Sequence, residues 1–131
     1  MNEKLPYTAE DFVIKYVAAM NAWDVDLCCM HYEDTASLVN TDGSVVYGID
    51  EIKKIIISFL DAKPIMKGDT GLLVVNGDVA LHRSNWTGSF LNESGERHET
   101  SGTGTEIIRQ GEDGVWKHSI DIPDPAGLKY T

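Results

Sequence analysis

"KYVAAMNAWDVDLCCMHYEDTASLVNTDGS", residues 15–44, changes its hydrophobic period once, and that change decides the fold. Phe12, Val13, Tyr16, Val17 and Met20 recur at helical spacing and predict an amphipathic helix. Thr8 is placed to cap it, with Glu10 and Asp11 in the first turn, where the helix dipole favours anions. Asn21 to Asp24 interrupts the pattern, and Asp24 can cap a second short helix running to about Tyr32, carrying Leu27, Cys28 and Met30. Then the period becomes two. Ala36 to Asn40 predicts a short strand, Thr41-Asp42-Gly43-Ser44 has hairpin chemistry, and Val45-Val46-Tyr47 predicts the return strand.

Working outward, Gly48 ends that strand and Ile49, Ile52, Ile56, Phe59 and Leu60 form the apolar stripe of a third helix, stopped by Pro64. From Ile65 the chain reads as long strands divided by Asn76-Gly77-Asp78, by the polar loop Leu91 to Glu96, and by Glu112-Asp113-Gly114. Helices packed on one face of such a sheet give an α+β fold. A chain of 131 residues fits a single domain spanning 1–131.

Composition excludes several functions. The net charge of −10 argues against nucleic acid, since phosphate binding needs a surplus of lysine and arginine. No apolar stretch approaches the roughly 20 residues that span a bilayer, so no membrane partner is expected. The opening MNEKLPYTAEDF lacks the apolar core of a signal peptide, and Cys28 and Cys29 are adjacent, a poor geometry for a structural disulfide. Both features suit a reducing cytoplasm.

The order of elements resembles the cone-shaped fold of the nuclear transport factor 2-like superfamily, and within it the ketosteroid-isomerase-like and SnoaL-like polyketide-cyclase group. Residues 15–44 resemble the isomerases' opening helix pair and first hairpin, and "GTEIIRQGEDGVWKHSIDIPDP", residues 104–125, resembles the closing hairpin of SnoaL-like domains. The resemblance implies three N-terminal helices packed on a curved, mainly antiparallel six-stranded sheet. It places Tyr16 at the isomerases' oxyanion-hole tyrosine, Glu106 near their second oxyanion-hole acid, and Asn40 where they keep the aspartate that moves the proton. An amide is no general base at neutral pH, so strict steroid isomerisation is not expected. The resemblance also implies a homodimer paired through the outer face of the sheet, where Leu81, Arg83 and Asn85 fall.

The stretch "VALHRSNWTGSF", residues 79–90, alternates cleanly, with Ala80, His82, Ser84 and Trp86 on one face and Leu81, Arg83 and Asn85 on the other. The resemblance turns the first set toward the cavity. In the last strand, alternation puts Lys117, Ser119 and Asp121 opposite Trp116, His118 and Ile120, and the resemblance sets Ser119 and Asp121 on the cavity wall, with Trp116 outside. Asp121 stands between two isoleucines. Either it faces the pocket as a base paired with His82 or Tyr16, or it caps the Pro123-Asp124-Pro125 turn. His82 alone is more often a satisfied core histidine than a catalyst, and Tyr16 can also be core filling with its hydroxyl bonded. The expected catalytic residues are Asp121, Tyr16 and His82, and the expected ligand-binding residues are Met20, Trp23, Asn40, Ile56, Phe59, Ser84, Trp86, Glu106 and Ser119.

His31, His98 and His118 show no metal-ligand spacing with Cys28 or Cys29, no glycine-rich phosphate loop joins a strand to a helix, and no serine carries a nucleophile elbow. No metal and no cofactor are therefore expected. The expectation is a small-molecule enzyme using acid–base chemistry (isomerase, cyclase, dehydratase or hydrolase) on a mostly hydrophobic ligand. The alternative is a non-catalytic ligand-binding or dimerisation module on the same fold.

Overall fold

A computed structural model describes residues 1–124. The first helix, α1, spans Phe12–Asn21 and buries Phe12, Val13, Ala19 and Met20. Thr8 Oγ1 accepts the Asp11 N–H at 3.2 Å and so shapes the turn before it. At its other end, the Asn21 side chain bonds both backbone groups of Met66, which ties the helix to the sheet. The second helix, α2, spans Val25–Cys29, and Asp24 Oδ1 accepts the Leu27 N–H at 3.0 Å as an N-cap.

That helix is shorter than its sequence suggests. The strand β1 already begins at Tyr32 and runs to Val39, before β2 at Val45–Tyr47. Gly48 then turns the chain at φ +87, a conformation glycine adopts without strain, into α3 at Ile49–Asp61. The apolar stripe Ile52, Ile56 and Leu60 is buried, as its spacing predicts. Four long strands follow: β3 at Ile65–Asn76, β4 at Val79–Leu91, β5 at Arg97–Gln110 and β6 at Trp116–Ile122.

The six strands form one open sheet in the order β2-β1-β6-β5-β4-β3. Every neighbouring pair is antiparallel except β1 and β6, which run parallel. The helices cover one face, giving the α+β architecture that the sequence predicts. Their apolar sides meet the sheet in two clusters, a main one around Ala19, Cys28, Ile52 and Met66, and a smaller one of Ala9, Phe12, Ala80, Ile108 and Trp116.

One irregularity decides what faces that core. Ile107 stands opposite Ile120, yet Ile108 stands opposite His118, so Ser119 is an extra residue in β6. Such a bulge breaks the strict alternation of faces. Trp116 is consequently buried in the core and His118 beside it, against the expectation that both point outward. Asp121 also faces inward, while Ile120 points out and is 39 % exposed.

Candidate functional site

The covered face of the sheet and the helices enclose a cavity of about 330 Å³. Its walls are apolar: Val17 and Met20 from α1, Ile56 and Phe59 from α3, Met66 from β3, Trp86 and Phe90 from β4. Polar side chains gather at one side, where Tyr16, Tyr32, Ser84, Glu106, His118 and Asp121 all line it. Asn40, Thr41, Pro123 and Asp124 also contribute to the lining. Mostly apolar surface with a few converging polar groups is the usual make-up of a small-molecule site.

The polar groups form two carboxylate–histidine pairs. In the first, Glu106 Oε1 accepts the Ser84 hydroxyl at 2.9 Å, and Glu106 Oε2 lies 3.4 Å from His82 Nδ1. The other ring nitrogen of His82 sits 2.9 Å from Thr70 Oγ1. In the second, the Tyr32 hydroxyl donates to Asp121 Oδ2 at 2.5 Å, and His118 Nε2 stands 3.7 Å from the same oxygen. His118 Nδ1 lies 3.0 Å from the His31 carbonyl, which can only accept, so the hydrogen is on Nδ1 and Nε2 is turned to Asp121. The Tyr32 and His118 rings stack with centroids 4.3 Å apart, and Phe12 meets His118 edge-on at 4.7 Å, fixing the imidazole.

Burial raises the Asp121 pKa above its ordinary 3.8; the nearby His118 lowers it, Glu106 raises it further, and the Tyr32 hydrogen bond lowers it. Burial likewise pushes the phenols of Tyr16 and Tyr32 well above 10. His31, behind the site, is held down at about 4, chiefly by burial. Its Nδ1 lies 2.8 Å from the Leu27 carbonyl, while its Nε2 has no hydrogen-bond partner among the described residues.

Close backbone approach makes room for this arrangement. A Cβ on Gly104 would lie 2.6 Å from Ser84 Oγ and 2.9 Å from Glu106 Oε1, and one on Gly102 would lie 2.7 Å from Trp86 Cζ2. The Trp86 indole therefore lies against β5, and its N–H donates to the Pro123 carbonyl at 2.8 Å.

Of the residues expected at the site, Asp121, Tyr16, Met20, Asn40, Ile56, Phe59, Ser84, Trp86 and Glu106 line the cavity. His82 does not line it; this ring is fully buried behind Glu106 and does not pair with Asp121. Trp23 is elsewhere. Its indole N–H donates to the Pro64 carbonyl at 2.8 Å, Lys63 Nζ lies 4.8 Å above its ring, and 43 % of it is exposed. Ser119 is the bulge residue and is also absent from the lining. The Asp121 carboxylate bonds Tyr32 rather than the Pro123 turn, of which Pro125 lies outside the described residues.

Among the lining residues that sequence reasoning missed, Tyr32 and His118 are the two that contact Asp121. Helical spacing puts Tyr32 at the end of a helix, and strict alternation, which the bulge breaks, puts His118 on the outer face. The metal expectation rested on cysteine spacing, but the fold assembles a different group. Among the described residues, Glu106, His118 and Asp121 offer donor atoms all within 4.8 Å of one another and could hold a metal ion.

These elements and this cavity have the nuclear transport factor 2-like fold. A ketosteroid isomerase-like protein from Erwinia carotovora atroseptica superposes with a TM-score of 0.78 at 22% identity, over 93% of this chain and 95% of that one. A nuclear transport factor 2-like superfamily protein from Salmonella enterica reaches 0.75 at 14% identity, over 86% and 84%. A domain of unknown function with a cystatin-like fold from Nostoc punctiforme reaches 0.72 at 16% identity, over 93% and 75%. No protein-family model matches the sequence, and no curated protein matches it. Among the described residues no helix is long and apolar enough to cross a membrane.

Proposed function

We propose that the cavity performs SnoaL-like acid–base chemistry, without a cofactor, on a small and mostly hydrophobic molecule, with Asp121 as the base. One observation carries this reading: a buried carboxylate that keeps one oxygen free. Both contacts of Asp121, from Tyr32 and His118, fall on Oδ2. Oδ1 makes none and opens on the cavity, since only His31 Nε2 is both sealed and unpartnered among the described residues. A carboxylate in an apolar wall is a stronger base than one in water, and its raised pKa brings it nearer the working range of a proton shuttle.

In this reading a substrate proton passes to Asp121 Oδ1 while the apolar walls exclude water. Tyr32 holds the carboxylate in place through Oδ2, and the His118 ring flanks the same oxygen. The neutral acid then returns the proton at another position or to a leaving group. His82 acts through Glu106 as a positioning residue. Asn40, in place of an aspartate, offers an amide that is no general base at neutral pH, which disfavours strict steroid isomerisation. The Erwinia relative supports an isomerase-like class only by its fold.

A second reading, ligand binding without turnover, draws on the internal partners that Glu106 and Asp121 already have. Asp121→Asn separates the two. Turnover of a substrate found by screening enolisable ketones, esters and lactones should fall by about a hundred- to ten-thousandfold with binding retained. Unchanged turnover would sink the catalytic assignment.

The outer face supports a homodimer. Val74, Leu81, Ile107 and Ile120 stand side by side across four strands, and Val74 is 52 % exposed. A second copy of this chain, seated by a two-fold axis, would cover that row. The free thiols of Cys28 and Cys29 suit a reducing compartment such as the cytoplasm.

A further inference from the structure

With Asp121 ionised, the hydrogen count along Tyr16, Tyr32 and Asp121 admits only one direction. Tyr32 has a single hydroxyl hydrogen and gives it to Asp121 Oδ2. The 2.8 Å bond between the two phenols must then be donated by Tyr16 and accepted by Tyr32. Tyr16 has spent its only hydrogen, and what it shows the cavity is a lone pair. We propose that this one-way chain makes Tyr16 a hydrogen-bond acceptor for the ligand, so that the cavity selects molecules carrying an O–H or N–H at that end. The selection rests on the reading of the cavity as a small-molecule site.

The role is opposite to the oxyanion-hole donor that resemblance assigns to Tyr16. A ligand carbonyl at that end could be met only by pulling the Tyr16 hydrogen off Tyr32, which leaves the Tyr32 oxygen without its donor. A ligand hydroxyl adds a bond and breaks none. Both phenols hold their hydrogens at neutral pH because burial pushes them far above 10, so the chain stays intact under ordinary conditions. Neighbouring rings hold it in line: Tyr16 meets Tyr32 edge-on with centroids 5.9 Å apart and His118 at 5.0 Å.

The test uses three aromatic probes that differ only in this group, 2-naphthol, 2-methoxynaphthalene and 2-acetylnaphthalene, titrated calorimetrically into the whole chain at pH 8. Tyr16→Phe should weaken 2-naphthol by about tenfold and each of the other two by no more than about twofold, the worth of one neutral hydrogen bond. Tyr32→Phe frees the Tyr16 hydrogen and should strengthen 2-acetylnaphthalene by about fivefold while leaving 2-naphthol the weaker for its lost preference. A purely structural tyrosine would shift all three probes together, and that result overturns the proposal. So does a wild-type protein whose 2-acetylnaphthalene affinity, rather than 2-naphthol affinity, collapses in Tyr16→Phe. If none of the probes binds at millimolar concentration, the small-molecule reading falls with it, whereas binding without the predicted contrast overturns the chain alone.

Discussion

The row Leu73–His82–Glu106–Asp121–Leu38 and the row Val74–Leu81–Ile107–Ile120–Ser37 lie one residue apart on the same five strands. The first points into the molecule and the second points out. An ordinary one-sided sheet would bury the isoleucines and expose the carboxylates. Here the three titratable side chains of the inner row are at most 7 % exposed, while Ile120 and Val74 are 39 % and 52 % exposed. Burying charge costs free energy unless it is paired, and leaving aliphatic side chains in water forgoes roughly 25 cal/mol per Å². Stability alone would select neither row. The inversion agrees with the proposal that each face answers to something outside the chain, a ligand on the inside and a second copy on the outside.

Breaking the inner row should have the larger effect. Asp121→Asn removes the proposed base while keeping shape, so turnover should fall by about two to four orders of magnitude with the far-ultraviolet dichroism of the native fold. On the outer row, Leu81→Asp sets a charge at the centre of the apolar strip. Sedimentation should show a wild-type dimer at micromolar concentration and a Leu81→Asp monomer, the dissociation constant rising by about a hundredfold. A wild-type protein that sediments as a monomer would refute the outer half of the comparison and leave the inner half standing.

Both rows were legible up to one residue. The alternation of Ala80, His82, Ser84 and Trp86 gives the inner face of β4 correctly, because no bulge interrupts that stretch. In β6 the same rule is correct for Asp121 but wrong for Trp116 and His118, because Ser119 adds a residue between them. A bulge leaves little trace in one sequence, although Trp116 and Ile120 outside with Lys117 and Asp121 inside is already an odd division. Tyr32 was hidden for a different reason: a short helix ends on contacts between distant segments, and its partner Asp121 is 89 positions away. Trp23 looked like a wall residue by size alone, yet φ +54 at that position turns it toward Pro64.

A subtler lesion sharpens the comparison without replacing a residue of either row. Gly104 lies between Ser84 and Glu106, and Gly104→Ala would force its Cβ to within 2.6 Å of Ser84 Oγ. Overpacking of this kind costs about 1–3 kcal/mol, a fall in melting temperature of roughly 3–10 °C in a domain of this size. The Ser84–Glu106 bond should break with it. An unchanged melting temperature would mean that β4 and β5 are not so closely apposed.

The smallest effect is a matter of sign. Because the folded chain holds the Asp121 proton more tightly than the unfolded one, it keeps that proton above pH 3.8 where the unfolded chain has released it. In that window the folded state binds more protons, so stability falls as pH rises and levels off above the folded pKa. His31 works the other way. It is held at about 4 against an ordinary 6.5, so the unfolded chain binds the extra proton and stability rises with pH between those values. That contribution is common to the wild type and Asp121→Asn and cancels in their difference. The melting temperature of Asp121→Asn minus that of the wild type should therefore grow from about pH 4 upward and then become flat. Each tenfold difference in proton affinity between the folded and unfolded carboxyl is worth about 1.4 kcal/mol, or roughly 3–5 °C here. A difference that shrinks with pH would mean that His118 and Tyr32 outweigh burial and hold Asp121 as an ion. The cavity would then contain a fixed counter-charge, and Asp121 could no longer serve as a base of raised strength.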